Sequence, residues 1–409
     1  MVSIAREPIP DARLLQEGPV CPPVGVAAHR NRRFDLPPGA PYYADMPRKT
    51  FDIGLVVEEL SILDESGRAD AALDPKLPEA TLLKMHRFML LTRKLDERMI
   101  MMQRQGQMGT FAPGRGQEAV QIGSILPLRS EDWYSPSYRS FGAQLWRGWT
   151  IDQLLLLWAG YFEGFGLPEG VNDMPMSIVI GSHVPVAVGL GMSINYRGGD
   201  QVVLVNFGDG ASSEGDVSEA LNFAAVYKAP VIFLCENNGY AISVPLQKQC
   251  GVRSLAQRGI GFGMPSLRVD GNDVLAMAAA AQEAVDRARR HEGPTFIEAV
   301  TFRMEMHTTA DDPKVYRSDE EVRRWEKKDP ITRFETYLKS RGLLNDAGID
   351  RVAAEIEEEL RVARDRFAAR AVQRPEEVFD FHYAVMPEEL AEQKREYLAD
   401  LQQALVEGK

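Results

Sequence analysis

Three cysteines in 409 residues, Cys21, Cys235 and Cys250, stand at no paired spacing, which argues against a disulfide scaffold or a cysteine-built zinc site. No uninterrupted apolar run reaches membrane-spanning length, and the opening MVSIAREPIPDAR has no apolar signal core. Basic residues are outnumbered: 47 Lys and Arg face 59 Asp and Glu, a net charge of −12, which argues against nucleic acid or an anionic membrane as partner. Internal repeats are absent as well. The expectation is a cytoplasmic chain whose 44% hydrophobic residues can bury a large core in one or two domains.

The most informative stretch that is present runs from Asn206 to Ser243, NFGDGASSEGDVSEALNFAAVYKAPVIFLCENNGYAIS. An apolar run, Gln201 to Phe207, ends in Gly208-Asp209-Gly210, and a second, Pro230 to Cys235, ends in Asn237-Asn238-Gly239. Between them Val217, Ala220, Leu221, Ala224 and Ala225 share one helical face. The pattern is a βαβ unit, and because such crossovers are right-handed, Asp209 and Asn238 both emerge at the carboxyl edge of one sheet. An acidic oxygen, an amide oxygen and turn carbonyls suit Mg²⁺, which keeps phosphate oxygens as further ligands. Gly208 and Gly210 let backbone approach a phosphate closely. Singly, GDG and NNG are ordinary turn sequences; their placement at the two ends of one βαβ unit favours a metal-bridged diphosphate site.

The remaining chain is read in order. Residues 1–77 form an arm or extension, rich in Pro and Arg at first, with Phe34, Tyr42, Tyr43 and Phe51 favouring an arm that orders against a partner over plain disorder. From Pro78 a helical pattern begins, in which His86 and the methionines near Met99 read as packed core. Gly114 to Gly116 opens a short helix at Gln117. Ser135 or Ser137 could cap a helix that places Tyr138 and Arg139 in its first turn, where a bound anion would be favoured; a solvated Arg beside a core Tyr is the alternative. Pro185 to Ile194 is a small-residue helix packed on the sheet. Ser266 to Asp270 and Thr295 to Phe302 read as strands, with a capped helix between them. The second strand empties into Arg303-Met-Glu-Met-His307, a polar segment without periodicity. The stretches 319–374 and 387–407 are helical and charged, and the last helix suits a subunit contact or a plain surface role.

The order of GQEA, DWYSPSYRSFG, GDGASSEGDVSEALNFAA and CENNGYAIS resembles the α subunit of thiamine-dependent 2-oxoacid dehydrogenases, over residues from about 80 to 375. The resemblance implies an α/β fold, a mostly parallel sheet with helices on both faces, binding thiamine diphosphate between an α and a β subunit. On this match residues 78–375 are the cofactor-binding domain and 376–409 a helical extension. Tyr138 and Arg139 match the family's pair at the diphosphate, joined by Gly208, Gly210, Ala211 and Arg303. Asp209, Asn238 and the carbonyl of Tyr240 match its Mg²⁺ ligands. Ile180 would face the aminopyrimidine ring, with Ser177 and Ser182 as candidate K⁺ ligands; His183 departs from the Gln expected beside them. His307 matches the active-site histidine, and Thr308 stands where mammalian members carry a kinase-target Ser.

The cofactor carries the carbanion chemistry, and the protein supplies binding and orientation. The family places the ring-activating Glu on the β subunit, so the expected assembly is an α2β2 heterotetramer handing its acyl product to the lipoyl group of an acyltransferase. The NNGYAIS and HTTADDPKVYRS segments and the long N-terminal arm resemble the branched-chain (2-oxoisovalerate) type more than the pyruvate or acetoin type. A non-catalytic partner-binding protein is the reading from another class; the joint presence of Arg139, Asp209, Asn238, Arg303 and His307 stands against it.

Overall fold

The computed structural model describes residues 56–372 and 374–406. The first 55 residues of the expected arm, and Cys21 with them, lie outside the described residues. Within the described residues the strands are β1 (Glu58–Leu60), β2 (Trp133–Ser135), β3 (Asn172–Asp173), β4 (Val203–Gly208), β5 (Val231–Asn237), β6 (Tyr240–Ala241), β7 (Val244–Pro245), β8 (Ser266–Asp270) and β9 (Thr295–Val300). Helices α1 (Glu79–Arg104), α2 (Glu118–Ile125), α3 (Phe141–Trp146) and α4 (Ile151–Ala159) precede α5 (His183–Arg197) and α6 (Gly215–Tyr227). They are followed by α7 (Leu246–Gln249), α8 (Ala256–Gly261) and α9 (Val274–Arg289). The last are α10 (Asp319–Glu326), α11 (Pro330–Ser340), α12 (Asp346–Arg370), α13 (Glu377–Asp380) and α14 (Glu388–Val406).

Seven strands form one sheet in the order β1-β8-β9-β5-β4-β2-β3, and every neighbouring pair is parallel. The reason is visible in the central strands, which are apolar without alternation. Side chains alternate between faces, so Leu204, Ile232 and Leu234 join a core with α1, α2, α9 and α11, while Val203, Val205, Phe207, Val231 and Phe233 join another with α5 and α6. A sheet buried on both faces is the condition under which parallel strands are stable. The expected βαβ unit is present: Val217, Ala220, Leu221 and Ala224 are the buried face of α6, and β4 and β5 pair from Val203 with Val231 to Gly208 with Glu236.

Asp273 caps α9 by accepting from the amides of Leu275 and Ala276 at 3.0 and 3.1 Å. Its other oxygen accepts from Ile62 and Leu63 at 2.6 and 2.5 Å, tying the segment after β1 to the start of α9. In α1, Met99 and Met102 are buried whereas Met101 is exposed, and His86 is buried beside Glu335 at 2.9 Å. A further core joins α1, α4 and α12 through Leu154, Ile356, Leu360 and Phe367. Helix α14 has no buried residue and meets α13 through the Phe379 and Tyr397 rings. No helix among the described residues is long and apolar enough to cross a membrane.

Candidate active site

The carboxyl ends of four adjacent strands, β9, β5, β4 and β2, meet at one cavity of about 210 Å³. It gathers Tyr138, Arg139, Ile180, Gly208, Asp209, Gly210, Ala211, Asn238, Tyr240, Arg303 and His307, together with Ser177. Ser182 lies beside it through Ser177, the two hydroxyl oxygens 2.9 Å apart.

Strand β2 delivers the first pair, though not as a helix start. Helix α3 begins at Phe141, and Tyr138 and Arg139 occupy the turn before it. Ser137 does act locally, but on that turn: its Oγ accepts from the Arg139 amide at 3.3 Å and pairs with the Ser140 hydroxyl at 2.8 Å. Arg139 is 4% exposed, so the solvated alternative fails. Its guanidinium donates to the carbonyls of Pro113 and His307, and the Tyr138 ring lies edge-on to His307.

Strands β4 and β5 deliver the oxygen donors. A Cβ on Gly208 would meet nothing within 4 Å, whereas one on Gly210 would come within 2.8 Å of the Ala241 Cβ. The backbone at Gly208 is therefore open for close approach, and Gly210 is fixed by packing. Asp209 is buried; Oδ1 accepts from the Asn238 amide at 3.3 Å and Oδ2 from Gln249 Nε2 at 2.7 Å. Burial pushes its carboxyl up to about 6, against the opposing pull of the Gln249 hydrogen bond. Gly239, with φ +87, makes the turn that brings Tyr240 back, and the Tyr240 hydroxyl donates to Glu321 at 2.7 Å. Among the described residues no three His, Cys, Asp or Glu side chains cluster for a metal. A cation at Asp209 would complete its shell with amide, carbonyl and phosphate oxygens or water, which is the donor set a hard cation accepts.

Strand β9 delivers Arg303 and His307. Arg303 is 1% exposed and donates to the Ile242 carbonyl at 2.8 Å and the Tyr316 hydroxyl at 2.9 Å. Burial and then the neighbouring Arg139 pull it down to about 10. His307 Nδ1 faces Arg303 Nη1 at 3.1 Å and Arg139 Nη2 at 3.3 Å. Guanidinium nitrogens only donate, so Nδ1 accepts and the ring proton is assigned to Nε2. Burial, then Arg139 and Arg303, hold His307 down at about 4. An anion offsetting those two charges should raise that value. Histidine NMR titration of the protein with and without magnesium pyrophosphate is expected to show the His307 midpoint moving upward; an unmoved midpoint would place the anion elsewhere.

The loop before α5 brings Ile180, 42% exposed, to the cavity. His183 Nε2 is turned to the Asn206 carbonyl at 2.7 Å and burial lowers its pKa, so this nitrogen is not offered to a cation. Three further residues matter that sequence reasoning did not single out. Gln249 holds Asp209 from 40 residues away. Glu236 lines the cavity, bonded to Asn206 Nδ2 at 2.8 Å and pushed up to about 7 by burial. Gln117 lines it with a free amide. Gln117 and Glu236 stand inside the GQEA and ENN motifs, which are a signal for them; Gln249 had none.

Residues 86–376 match the dehydrogenase E1 component family, and the chain belongs to that family, as an α-type subunit of the thiamine-dependent 2-oxoacid dehydrogenases. Among its relatives is the pyruvate dehydrogenase E1 component subunit alpha of Acholeplasma laidlawii, 42% identical over 82% of this chain and 98% of that one. The 3-methyl-2-oxobutanoate dehydrogenase subunit alpha of Mycobacterium tuberculosis is 43% identical over 83% of this chain and 92% of its own length. A pyruvate-type α subunit from Staphylococcus aureus is 41% identical over 83% of this chain and 92% of its own length.

Proposed function

We propose that the chain is the α subunit of a branched-chain 2-oxoacid dehydrogenase, acting on substrates such as 2-oxoisovalerate in an α2β2 assembly and passing the acyl group to a lipoylated acyltransferase. The observation that carries the catalytic reading is the convergence of Arg139, Asp209, Asn238, Arg303 and His307 on one cavity. The residues fit thiamine diphosphate and Mg²⁺: an open backbone at Gly208, two buried guanidiniums for the anion, and one carboxylate with amide and carbonyl oxygens for the cation. Bound there, the cofactor supplies the carbanion stabilisation that decarboxylation of a 2-oxo acid requires. Asp209, Asn238 and the Tyr240 carbonyl would hold the metal, Tyr138, Arg139, Arg303 and the Gly208 to Ala211 turn the diphosphate, and Ile180 the ring. The Ser177 and Ser182 hydroxyls would serve a potassium ion.

The partner reading rests on an apolar surface around the cavity mouth. Val179, Ile180 and Ile242 line the cavity yet are 69%, 42% and 57% exposed. Beyond them Val186 of α5 and Phe223, Val226 and Tyr227 of α6 are exposed too, on helices that pack side by side. Exposed apolar side chains at the mouth of a site and on the helices beside it are characteristic of an interface. With the ring-activating carboxylate on that partner, the chain alone is expected to turn over no 2-oxo acid.

The branched-chain reading rests on the NNGYAIS and HTTADDPKVYRS segments, and one methylene is worth only about 1–3 kcal/mol in a hydrophobic pocket. Relatives of both substrate types are close in identity. Steady-state rates of the αβ enzyme with 2-oxoisovalerate and with pyruvate decide it: kcat/KM should favour the branched acid, and a preference for pyruvate reverses the assignment. Failure to bind thiamine diphosphate in the presence of the β partner would instead support a non-catalytic role.

A further inference from the structure

Gln117 is 0% exposed and lines the cavity, yet neither its Nε2 nor its Oε1 has a hydrogen-bond partner. It precedes α2 without capping it. The local anchoring is done by its neighbours instead: Glu118 accepts from the Gly116 amide at 3.0 Å and from Arg93 at 2.5 Å. A buried carboxamide with both ends unpaired is costly, and nothing in its own helix or loop requires one. It is therefore placed for something that enters the cavity.

Its position says what. The Gly116 carbonyl accepts from Thr301 at 3.0 Å, two residues before Arg303, and one turn along α2 the Gln121 amide donates to the Arg139 carbonyl at 3.0 Å. Gln117 thus stands between the segments that carry the two buried arginines. We propose that Gln117 is a third contact to the anion those arginines flank, an uncharged donor that would reach the cofactor's diphosphate through Nε2. This rests on the cofactor reading above and extends it to a residue that reading does not use. A neutral donor suits the place: burial and then the neighbouring Arg139 already pull Arg303 down, and a third cation would be repelled where an amide is not.

The test is calorimetric binding of thiamine diphosphate, magnesium pyrophosphate and unphosphorylated thiamine to the αβ enzyme carrying Gln117→Leu or Gln117→Glu. Losing one hydrogen bond to a charged group predicts about tenfold to a hundredfold weaker binding of the two phosphate ligands, with thiamine unaffected and Gln117→Glu weaker still. Since leucine removes an unpaired buried polar group, the ligand-free Gln117→Leu enzyme should melt no lower than wild type, while its stabilisation by pyrophosphate shrinks. A purely structural glutamine would give the reverse. Arg139→Gln is run alongside: if it weakens pyrophosphate binding and Gln117→Leu does not, this proposal is overturned and the anion site stands. If neither variant changes binding, the anion site itself is wrong and the proposal falls with it.

Discussion

Asp209→Asn is expected to leave the fold intact and to weaken magnesium-dependent binding of thiamine diphosphate by at least about a hundredfold, because second-shell changes alone cost about 10–100-fold at metal sites. Two features of the site separate these effects. Burial already pushes the Asp209 carboxyl up to about 6, so a neutral side chain of the same shape relieves a desolvated charge. The amide oxygen of Asn can still accept from Gln249, which now grips Oδ2 at 2.7 Å, and only the longer 3.3 Å bond that Oδ1 accepts from the Asn238 backbone amide is given up against that relief. What asparagine cannot supply is the one anionic oxygen among the proposed metal ligands, the others being the Asn238 amide and the Tyr240 carbonyl. Calorimetric titration of the αβ enzyme with cofactor, with and without Mg²⁺, measures the difference. The wild type should show a large metal dependence and Asp209→Asn almost none; equal metal dependence in both would remove Asp209 from the metal site. Thermal unfolding without ligands should be unchanged or higher for the variant.

Much of this site could be read from the chain because its parts sit where strands end. Asp209 and Asn238 follow apolar runs whose parallel pairing is dictated by burial on both faces, and the crossover rule then fixes their common edge. Arg303 and His307 follow a third such run. The sequence was less informative where side chains, not strands, set the geometry. Ser135 and Ser137 read as helix caps, but Ser135 ends β2 and Ser137 bonds within its own turn; α3 starts at Phe141 and Arg139 precedes it. Gln249 reaches Asp209 only because the turn at Gly239 and the short β6-β7 ladder fold α7 back over the strand ends, a closure without a pattern in composition or period. The Pro185 to Ile194 helix was expected to pack on the sheet, and its buried face of Ala187, Val188, Gly191 and Ile194 does. The outward face is as apolar at Val186, a feature that periodicity alone does not distinguish from core.

His307→Ala should lower kcat of the αβ enzyme by about 10²–10³-fold, the usual loss when one positioned donor to developing charge is removed, with a much smaller effect on cofactor affinity. The geometry also decides which kind of help His307 gives. Two guanidiniums point at Nδ1, and the Asp311 carboxylate fixes the backbone by accepting from the His307 amide at 2.8 Å. Before the anion binds, with its pKa held down at about 4, the ring at neutral pH is an uncharged imidazole whose Nε2–H can donate a hydrogen bond but is a weak acid, and burial, the largest cause, persists when the anion offsets the two arginines. Glutamine places an amide donor near the reach of Nε2 and cannot exchange a proton near neutral pH. His307→Gln should therefore recover a clear part of the rate lost in His307→Ala. If the two variants are equally slow, proton transfer outweighs hydrogen-bond donation, and the titration of His307 with pyrophosphate should then show its pKa lifted into the neutral range. If His307→Ala keeps the wild-type rate, the ring only props the two arginines apart, and cofactor affinity rather than kcat is the quantity that changes.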